Sequence, residues 1–306
     1  MDRLAAMEIF ISVAEAGSFS AAAKRMNVGQ PAISKSVAQL EDRLGARLIL
    51  RSTRGLTMTD AGQRFYVHAK LAIREADEAE RVVRHASDSL SGRLRVSAAV
   101  TFACLHLLPS LNAFLNRHPK LEIDLVLDDR NIDLLEEGMD VALRMGSLAD
   151  SAMTARRIGR SPRLVVGTPD YFSRAGVPMT PTDLSQHQAI VYSQRGGGET
   201  WTFGRDGSNI DVAVAGRVRL SAAEGMRTAV LGGMGLAVAS RWMFSPELAS
   251  GKVQAELTDW ILPPVDLWAV FPSGRLVTAR ARVFVAFVEE ALAQSASGQP
   301  GTSSSA

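Results

Sequence analysis

A single cysteine, Cys104, stands among 306 residues. One thiol closes no internal disulfide and builds no cysteine metal cluster, and such scarcity fits a reducing compartment. No stretch is long and apolar enough to cross a membrane, and the opening MDRLAAMEIFISVAEAG has neither a basic segment leading into an apolar run nor a cleavage site. The chain is therefore expected in the cytoplasm, without a membrane partner. The histidines His68, His85, His106, His118 and His187 are scattered, with no HExxH pair, no metal-ligand spacing and no G-x-S-x-G elbow. No catalytic residue, metal or cofactor is expected from them. Cys104, close to His106 in a leucine-rich segment, reads as a buried thiol.

Charge of one sign is also lacking overall, since the formal net charge is only +2. Its placement is more informative, because electrostatic attraction depends on where charge sits. Between Lys24 and Arg54 the basic residues Lys24, Arg25, Lys35, Arg43, Arg47, Arg51 and Arg54 face only Glu41 and Asp42. At 46% hydrophobic and 22% charged, the chain has material for two or three ordinary domains.

The basic stretch reads as a helix, a tight turn, a second helix and a hairpin. Ser18 can cap a short helix carrying Ala21, Ala22 and Met26, and Asn27-Val28-Gly29 supplies the turn. The second helix starts at Gln30, with Pro31 in the first turn, where a missing N–H costs nothing. Ile33, Val37, Leu40 and Leu44 recur at helical spacing and form one expected buried face, leaving Gln30, Ser34, Lys35 and Gln39 outward. Gln makes bidentate contacts to adenine, and Ser and Lys reach base edges or phosphates. Arg47, Arg51 and Arg54, around Ser52, Thr53 and Gly55, suit a basic wing beside a phosphate backbone. A helical pair with an ordinary solvated face is the plainer alternative.

Helix is expected over residues 3 to 16, with Leu4, Met7, Ile11 and Ala14 as its packing stripe. Thr59 can cap a long helix in which Phe65, Ala69, Ala72, Ala76, Ala79 and Val83 follow heptad spacing. Small side chains on such a seam permit close approach of a second copy, and a DNA reader of two half-sites needs one. The alternative is a helix packed on its own domain. Ser87 to Gly92 reads as a polar hinge.

Beyond the hinge, strands alternate with helices: strands at Leu94 and Val96, Leu121 to Leu127, Val141 to Leu143 and Leu164 to Val166, with helices over Pro109 to Arg117 and Asn131 to Gly138. The pattern implies an α/β fold with an open, mostly parallel sheet. After a turn-rich Pro169 to Gln188 come strands at Ala189 to Val191, Trp201 to Phe203 and Val212 to Val214, then a helix over Ala223 to Leu231. Gly232-Gly233-Met234-Gly235 stops that helix. A strand at Leu236 to Ala239 precedes one at Leu267 to Val270 and a helix over Thr278 to Leu292, with Val283, Phe287 and Ala291 on one face. Arg195 to Gly198 reads as a mobile loop. Residues 294–306 make a low-complexity tail, expected to be disordered.

The segments AEAGSFSAAAKRM, QPAISKSVAQLEDRLGARL and RSTRGLTMTDAG resemble the winged helix-turn-helix of the LysR-type transcriptional regulators, in order and throughout. In that family Ser usually precedes the Gln-Pro pair; Gly29 stands there here, so a side-chain phosphate contact is lost. The resemblance implies a DNA-binding domain over residues 1–59, a linker and dimerisation helix with hinge over 60–92, and an effector domain over 93–293. That domain is similar to periplasmic solute-binding proteins, with two lobes, 93–163 plus 267–293 and 164–266. Double-stranded DNA, a small-molecule effector, RNA polymerase and further copies of the chain, as dimer or tetramer, are the implied partners. Gln30, Pro31, Ser34, Lys35, Arg51, Ser52, Thr53 and Arg54 are the expected DNA contacts.

Ligands of open α/β sheets settle beyond strand carboxyl ends, at helix N-termini. Thr101 ranks first on that ground, with Asp129, Arg144 and Gly146 at the ends of following strands. Ser193, Trp201 and Phe203 from the second lobe, and Phe271 from the returning strand, complete the expected effector contacts. Trp201 and Phe271 are side chains more often found in a core than on a ligand wall, and Arg144 also reads as an ion-pair partner. A solute-sequestering module without DNA affinity is the competing class of function.

Overall fold

The computed structural model describes residues 2–52, 55–84, 90–148, 154–192, 200–272 and 277–297. The chain divides into two compact units, the first built mainly on residues up to Ser89 and the second on those from Leu90 onward.

In the first unit each helix begins and ends where local chemistry allows. Helix α1 (Arg3–Ala16) is capped by Asp2, which accepts the Leu4 N–H at 3.0 Å, and stops at Gly17 in the left-handed region, φ 63°. Ser18 caps α2 (Phe19–Arg25) by accepting the Ala21 N–H at 3.1 Å. Asn27 takes φ 55° in the turn, and α3 (Gln30–Leu44) follows with Pro31 in its first turn and left-handed Gly45 as its stop. Strands β1 (Ile49–Ser52) and β2 (Gly55–Met58) form an antiparallel hairpin. The Thr59 hydroxyl then accepts the Gly62 N–H at 2.9 Å to start α4 (Asp60–Arg84).

Two expected packing stripes are corrected here. Helix α1 buries Ala6, Phe10 and Val13, while Leu4 is 39% exposed and Met7, Ile11 and Ala14 are half-buried. The Phe10 ring sets the orientation, meeting Phe65 of α4 edge-on at 5.3 Å. On α3, Ile33, Val37 and Leu40 are buried, but Leu44 is 42% exposed at the last turn. The buried place on that stripe belongs to Glu41 instead. Gly62 is a packing requirement: a Cβ there would lie 2.0 Å from the Leu48 carbonyl oxygen.

The second unit opens with β3 (Ser91–Ala98), so Ser91 and Gly92 belong to a strand and only residues before them can serve as hinge; residues 85–89 lie outside the described set. Helix α5 (Val100–Phe102), a π turn (Ala103–Leu107) and α6 (Leu108–Arg117) then form one helical run. The expected helix therefore starts at Val100, well before Pro109. Proline lacks an N–H and crowds the carbonyl four residues earlier, and the widened turn just ahead of Pro109 accommodates both defects. Cys104, expected to be buried, is exposed on that run.

Next come β4 (Lys120–Leu127), β5 (Val141–Met145), β6 (Thr154–Ser161) and β7 (Arg163–Gly167). Helix α7 (Pro169–Ala175), β8 (Ile190–Tyr192), β9 (Thr200–Arg205), β10 (Ser208–Ala213) and β11 (Val218–Leu220) follow. The chain ends through α8 (Ala223–Leu231), β12 (Ala237–Ser240), α9 (Ser245–Ser250), β13 (Gln254–Glu256), β14 (Val265–Phe271) and α10 (Ala279–Ser297). Between β4 and β5 the expected helix over Asn131 to Gly138 is a turn, closed by the Met139 N–H on the Leu134 carbonyl at 2.8 Å and by Gly138 at φ 61°.

Two lobes result. The first is a five-stranded sheet in the order β4-β3-β5-β14-β6. Its β3 pairs in parallel with β4 and β5, whereas β14 is antiparallel to both β5 and β6. The sheet is therefore mixed rather than mostly parallel, because β14 re-enters from the second lobe instead of through a helical crossover. Helix α10 covers this sheet with Ala281, Phe284, Val285, Val288 and Leu292; Phe287 is buried as expected, while Val283 is 39% exposed. The second lobe carries β12-β7-β13, extended by β8-β11 through the bridge between Ala189 and Leu236, and the β9-β10 hairpin.

Candidate functional site

On α3 the residues expected to meet DNA sit at the exposed amino end. Gln30, Pro31 and Lys35 are exposed and Ser34 is half-buried. Ser20 of α2 donates its hydroxyl to Gln30 Oε1 at 3.2 Å, which orients the glutamine amide. The side chains of Arg51 and Ser52, and all of Thr53 and Arg54, lie outside the described residues. The hairpin is tied to α3 by Glu41: Oε1 accepts the N–H groups of Leu48 at 2.8 Å and Ile49 at 3.0 Å, and Oε2 accepts from Arg47 at 2.8 Å. Burial pushes the Glu41 carboxyl up, but the Ile49 N–H, the Arg47 guanidinium and the Leu48 N–H outweigh it and leave the group more acidic than usual. Arg47, read as a wing cation, thus has a structural partner, although its side chain remains 75% exposed. A cavity of about 280 Å³ lies here, lined among others by Ser34, Glu41, Arg47 and Leu50.

Of the expected dimer seam, Ala69 is fully buried within the single chain, and Phe65 is half-buried with one edge packed on Phe10. Ala72 and Ala76 are half-buried and Ala79 is exposed; the Val83 side chain lies outside the described residues. The first part of the heptad pattern thus serves the unit's own core, because α1 needs a surface to cover.

In the second unit the expected effector residues separate into distinct roles. Thr101 is 3% exposed, and its hydroxyl donates to Glu224 Oε2 on α8 at 3.0 Å. Asp129 accepts the Val100 N–H at 3.1 Å and the Ala223 N–H at 2.9 Å. Thr101, Asp129, Ala223 and Glu224 are therefore brought together from both lobes. Arg144 instead clamps a loop, donating to the carbonyls of Arg130 at 2.6 Å and Ile132 at 2.9 Å. Gly146, at φ 92°, is a strand-end turn whose carbonyl accepts the Trp268 indole N–H at 2.9 Å.

Two aromatic assignments are corrected. Phe203 is fully buried in the core of the second lobe and Phe271 is buried in that of the first, so neither is a ligand wall. Each lobe needs a large side chain at that strand position to fill its interior. Trp201 is half-buried against the second core, and Ser193 lies outside the described residues. Sequence reasoning missed Glu41, Ser20 and Glu224. A charge on the apolar stripe of α3 was a legible signal for Glu41, as was an acid in the first turn of a helix for Glu224.

Around the same seam, Arg227 of α8 donates to Glu224 at 3.2 Å, to the Met243 carbonyl at 3.2 Å and to buried Glu247. His106 Nε2 lies 2.8 Å from the Trp242 carbonyl, and burial holds the imidazole below its ordinary pKa despite that contact. Asp128 is held more acidic than usual chiefly by the Arg130 side chain, then by its backbone N–H. Among the described residues no three His, Cys, Asp or Glu side chains gather as a metal site, and no single helix is long and apolar enough to cross a membrane.

Comparison with known proteins matches both units. Residues 4–63 fit the family described as bacterial regulatory helix-turn-helix protein, lysR family, and residues 87–293 fit the LysR substrate binding domain. The HTH-type transcriptional regulator PtxR of Pseudomonas aeruginosa is 32% identical over 285 residues, covering 92% of this chain and 91% of that protein. The regulator CrgA of Neisseria meningitidis is 32% identical over 296 residues, covering 95% and 98%. The solved CrgA structure, described as a LysR-type transcriptional regulator, aligns with a TM-score of 0.61 at 30% identity over 94% of this chain and 98% of that one. The full-length virulence activator AphB of Vibrio cholerae aligns with a TM-score of 0.58 at 27% identity, covering 94% and 98%.

Proposed function

The chain belongs to the LysR family of bacterial transcriptional regulators, and from that premise we infer that it reads a specific DNA sequence with α3 and changes its action when a small molecule binds between the lobes of the second unit. The observation that carries the DNA reading is the exposed, acid-free amino end of α3. Gln30, Pro31 and Lys35 stand out from it, Ser34 sits beside them, and the β1–β2 hairpin is tied to the same helix through Glu41. Gln30, steadied by Ser20, reads a base edge; Lys35 and the hairpin residues Arg51, Ser52, Thr53 and Arg54 grip phosphates. Pairing of two copies along Ala72, Ala76, Ala79 and Val83 supplies the second half-site.

The effector reading rests on the convergence of Thr101, Asp129, Ala223 and Glu224 from two lobes. A ligand shifts the protein only if it binds two arrangements differently, and a seam between lobes offers that difference. The response is transmitted to DNA geometry or to RNA polymerase, in the cytoplasm.

The test is binding of the full chain to DNA from upstream of its own gene and of neighbouring genes, against unrelated competitor, with salt varied. Binding that survives competitor and weakens with salt supports the reading. Lys35→Ala is expected to weaken binding and flatten the salt dependence by about one unit of slope per bound copy. Equal binding to every fragment, or none, defeats it.

A further inference from the structure

Helix α8 and the helical run that starts with α5 share an unusual defect. Their cap positions are Ala222 and Ala99, and neither has a side chain that accepts a hydrogen bond. First-turn N–H groups have no acceptor within their own helix, and alanine is a poor cap. One carboxylate remedies both: Asp129 Oδ1 takes the Val100 N–H in the first lobe and Oδ2 takes the Ala223 N–H in the second. The next residues along, Thr101 and Glu224, bond to each other across the same seam. A carboxylate is the one side chain that presents two charged acceptors to two separate donors, and the positive ends of both helices favour it.

We propose that Asp129 is a shared cap that clasps the two lobes and, in doing so, determines effector specificity: it fills the anion seat between them, so the effector is a neutral or cationic molecule and simple carboxylates are excluded. The specificity half rests on the interlobe effector reading above; the clasp half does not. A carboxylate tethered to the seat competes at an effective concentration that a free anion does not match at ordinary levels. The Glu224 carboxylate beside it adds like-charge repulsion against any second anion. An effector that donates hydrogen bonds, through hydroxyl or ammonium groups, meets Glu224 and Asp129 as acceptors.

The experiment is thermal melting of the full chain, with Asp129→Ala as the variant and formate as the probe, since formate replaces the carboxylate removed. Asp129→Ala is expected to melt about 2–4 °C or more below the parent. Sodium formate at about 100 mM is expected to restore at least half of that loss relative to matched sodium chloride, and to leave the parent unmoved. Asp129→Asn fills the seat but turns an NH₂ toward one of the two N–H groups, so its loss is not restored by formate. If formate shifts all three proteins alike, or Asp129→Ala melts with the parent, the clasp is overturned.

Should Asp129→Ala fail to fold, hydrogen exchange of Asp129→Asn decides. The peptide containing Val100 or the one containing Ala223, whichever N–H faces the NH₂, must speed up, and acceleration of neither overturns the clasp. Succinate and benzoate, titrated calorimetrically, are expected to bind Asp129→Ala and not the parent. Binding to the parent refutes the exclusion of anions even where the clasp holds. Failure of the regulator reading would show instead as absent DNA preference, with the formate result unchanged.

Discussion

Replacing Glu41 tests how the hairpin is held to α3, because its two oxygens do different work. Oε1 alone accepts both buried backbone donors, those of Leu48 and Ile49, while Oε2 faces the exposed Arg47. Glu41→Ala leaves two N–H groups buried without an acceptor, at ~1–3 kcal/mol each, so ~2–6 kcal/mol in all. Glu41→Gln keeps an oxygen in the Oε1 position, so both N–H groups stay paired, and loses the negative charge together with the pair to Arg47, whose side chain is 75% exposed; such pairs contribute ~0–1 kcal/mol. In a unit of this size ~1 kcal/mol moves the melting point by ~4–8 °C, so Ala should lower it by on the order of 10 °C or more and Gln by far less. The molecule provides its own control. All four tryptophans, Trp201, Trp242, Trp260 and Trp268, lie in the second unit. Tryptophan fluorescence therefore follows that unit alone, while far-ultraviolet circular dichroism also follows the helices of the first. Glu41→Ala should shift an early dichroism transition and leave the fluorescence transition in place. Equal losses for Ala and Gln, or a fluorescence shift of the same size, would refute the division of labour between the two oxygens.

Three further outcomes follow from the same structure. Gly62→Ala should destabilise the first unit and weaken DNA binding, since its methyl would stand 2.0 Å from the Leu48 carbonyl oxygen; a melting curve matching the parent would show that α4 can shift without cost. His106 and His187 are both held below the ordinary imidazole pKa by burial, only partly opposed by the Trp242 carbonyl and Asp183 respectively. The unfolded chain then takes up protons first, so the second unit should be fully stable above about pH 6.5 and lose stability as pH falls through that value, levelling off below the folded pKa. A fluorescence melting point that is flat between about pH 7.5 and 5.5 contradicts this. Ser20→Ala should relax base preference at the position read by Gln30 while leaving the salt dependence of binding intact, because it frees the amide without touching a phosphate contact; a binding-site selection that returns the parent sequence would count against it.

How far the sequence spoke depended on the range of each interaction. Ser18, Pro31 and Thr59 act within one turn, so the helix starts of the first unit were legible from their caps. Strands β3, β4 and β14 carry long apolar or alternating runs and were legible too. Strand β6, TARRIGRS, was not, because its first four residues are exposed and it exists as a strand through pairing with β14, about a hundred residues away. The aromatic residues misled for a related reason: whether Phe203 or Phe271 faces a ligand or a core depends on how the lobe closes, which residue type does not encode. The Asp129 clasp joins three distant segments, and its single local trace is the pair of alanines at helix starts where a polar cap is usual.

The clasp also constrains how an effector can act. The two charge-assisted hydrogen bonds that cross the seam, Ala223 N–H to Asp129 and Thr101 hydroxyl to Glu224, at ~1.5–3 kcal/mol each favour the closed lobes by roughly 3 kcal/mol or more before any ligand arrives. At about 1.4 kcal/mol per tenfold, that already populates the closed form by two orders of magnitude. A ligand whose sole effect was to close the lobes further would then have almost no population left to move, however tightly it bound. Regulation through this seam must run the other way: the effector draws Thr101, Glu224 or Asp129 into its own hydrogen bonds, weakens the shared cap, and favours an arrangement that the unliganded chain rarely visits. The alanine cap at Ala222 is what makes such a release possible, since a serine there would satisfy α8 without the other lobe.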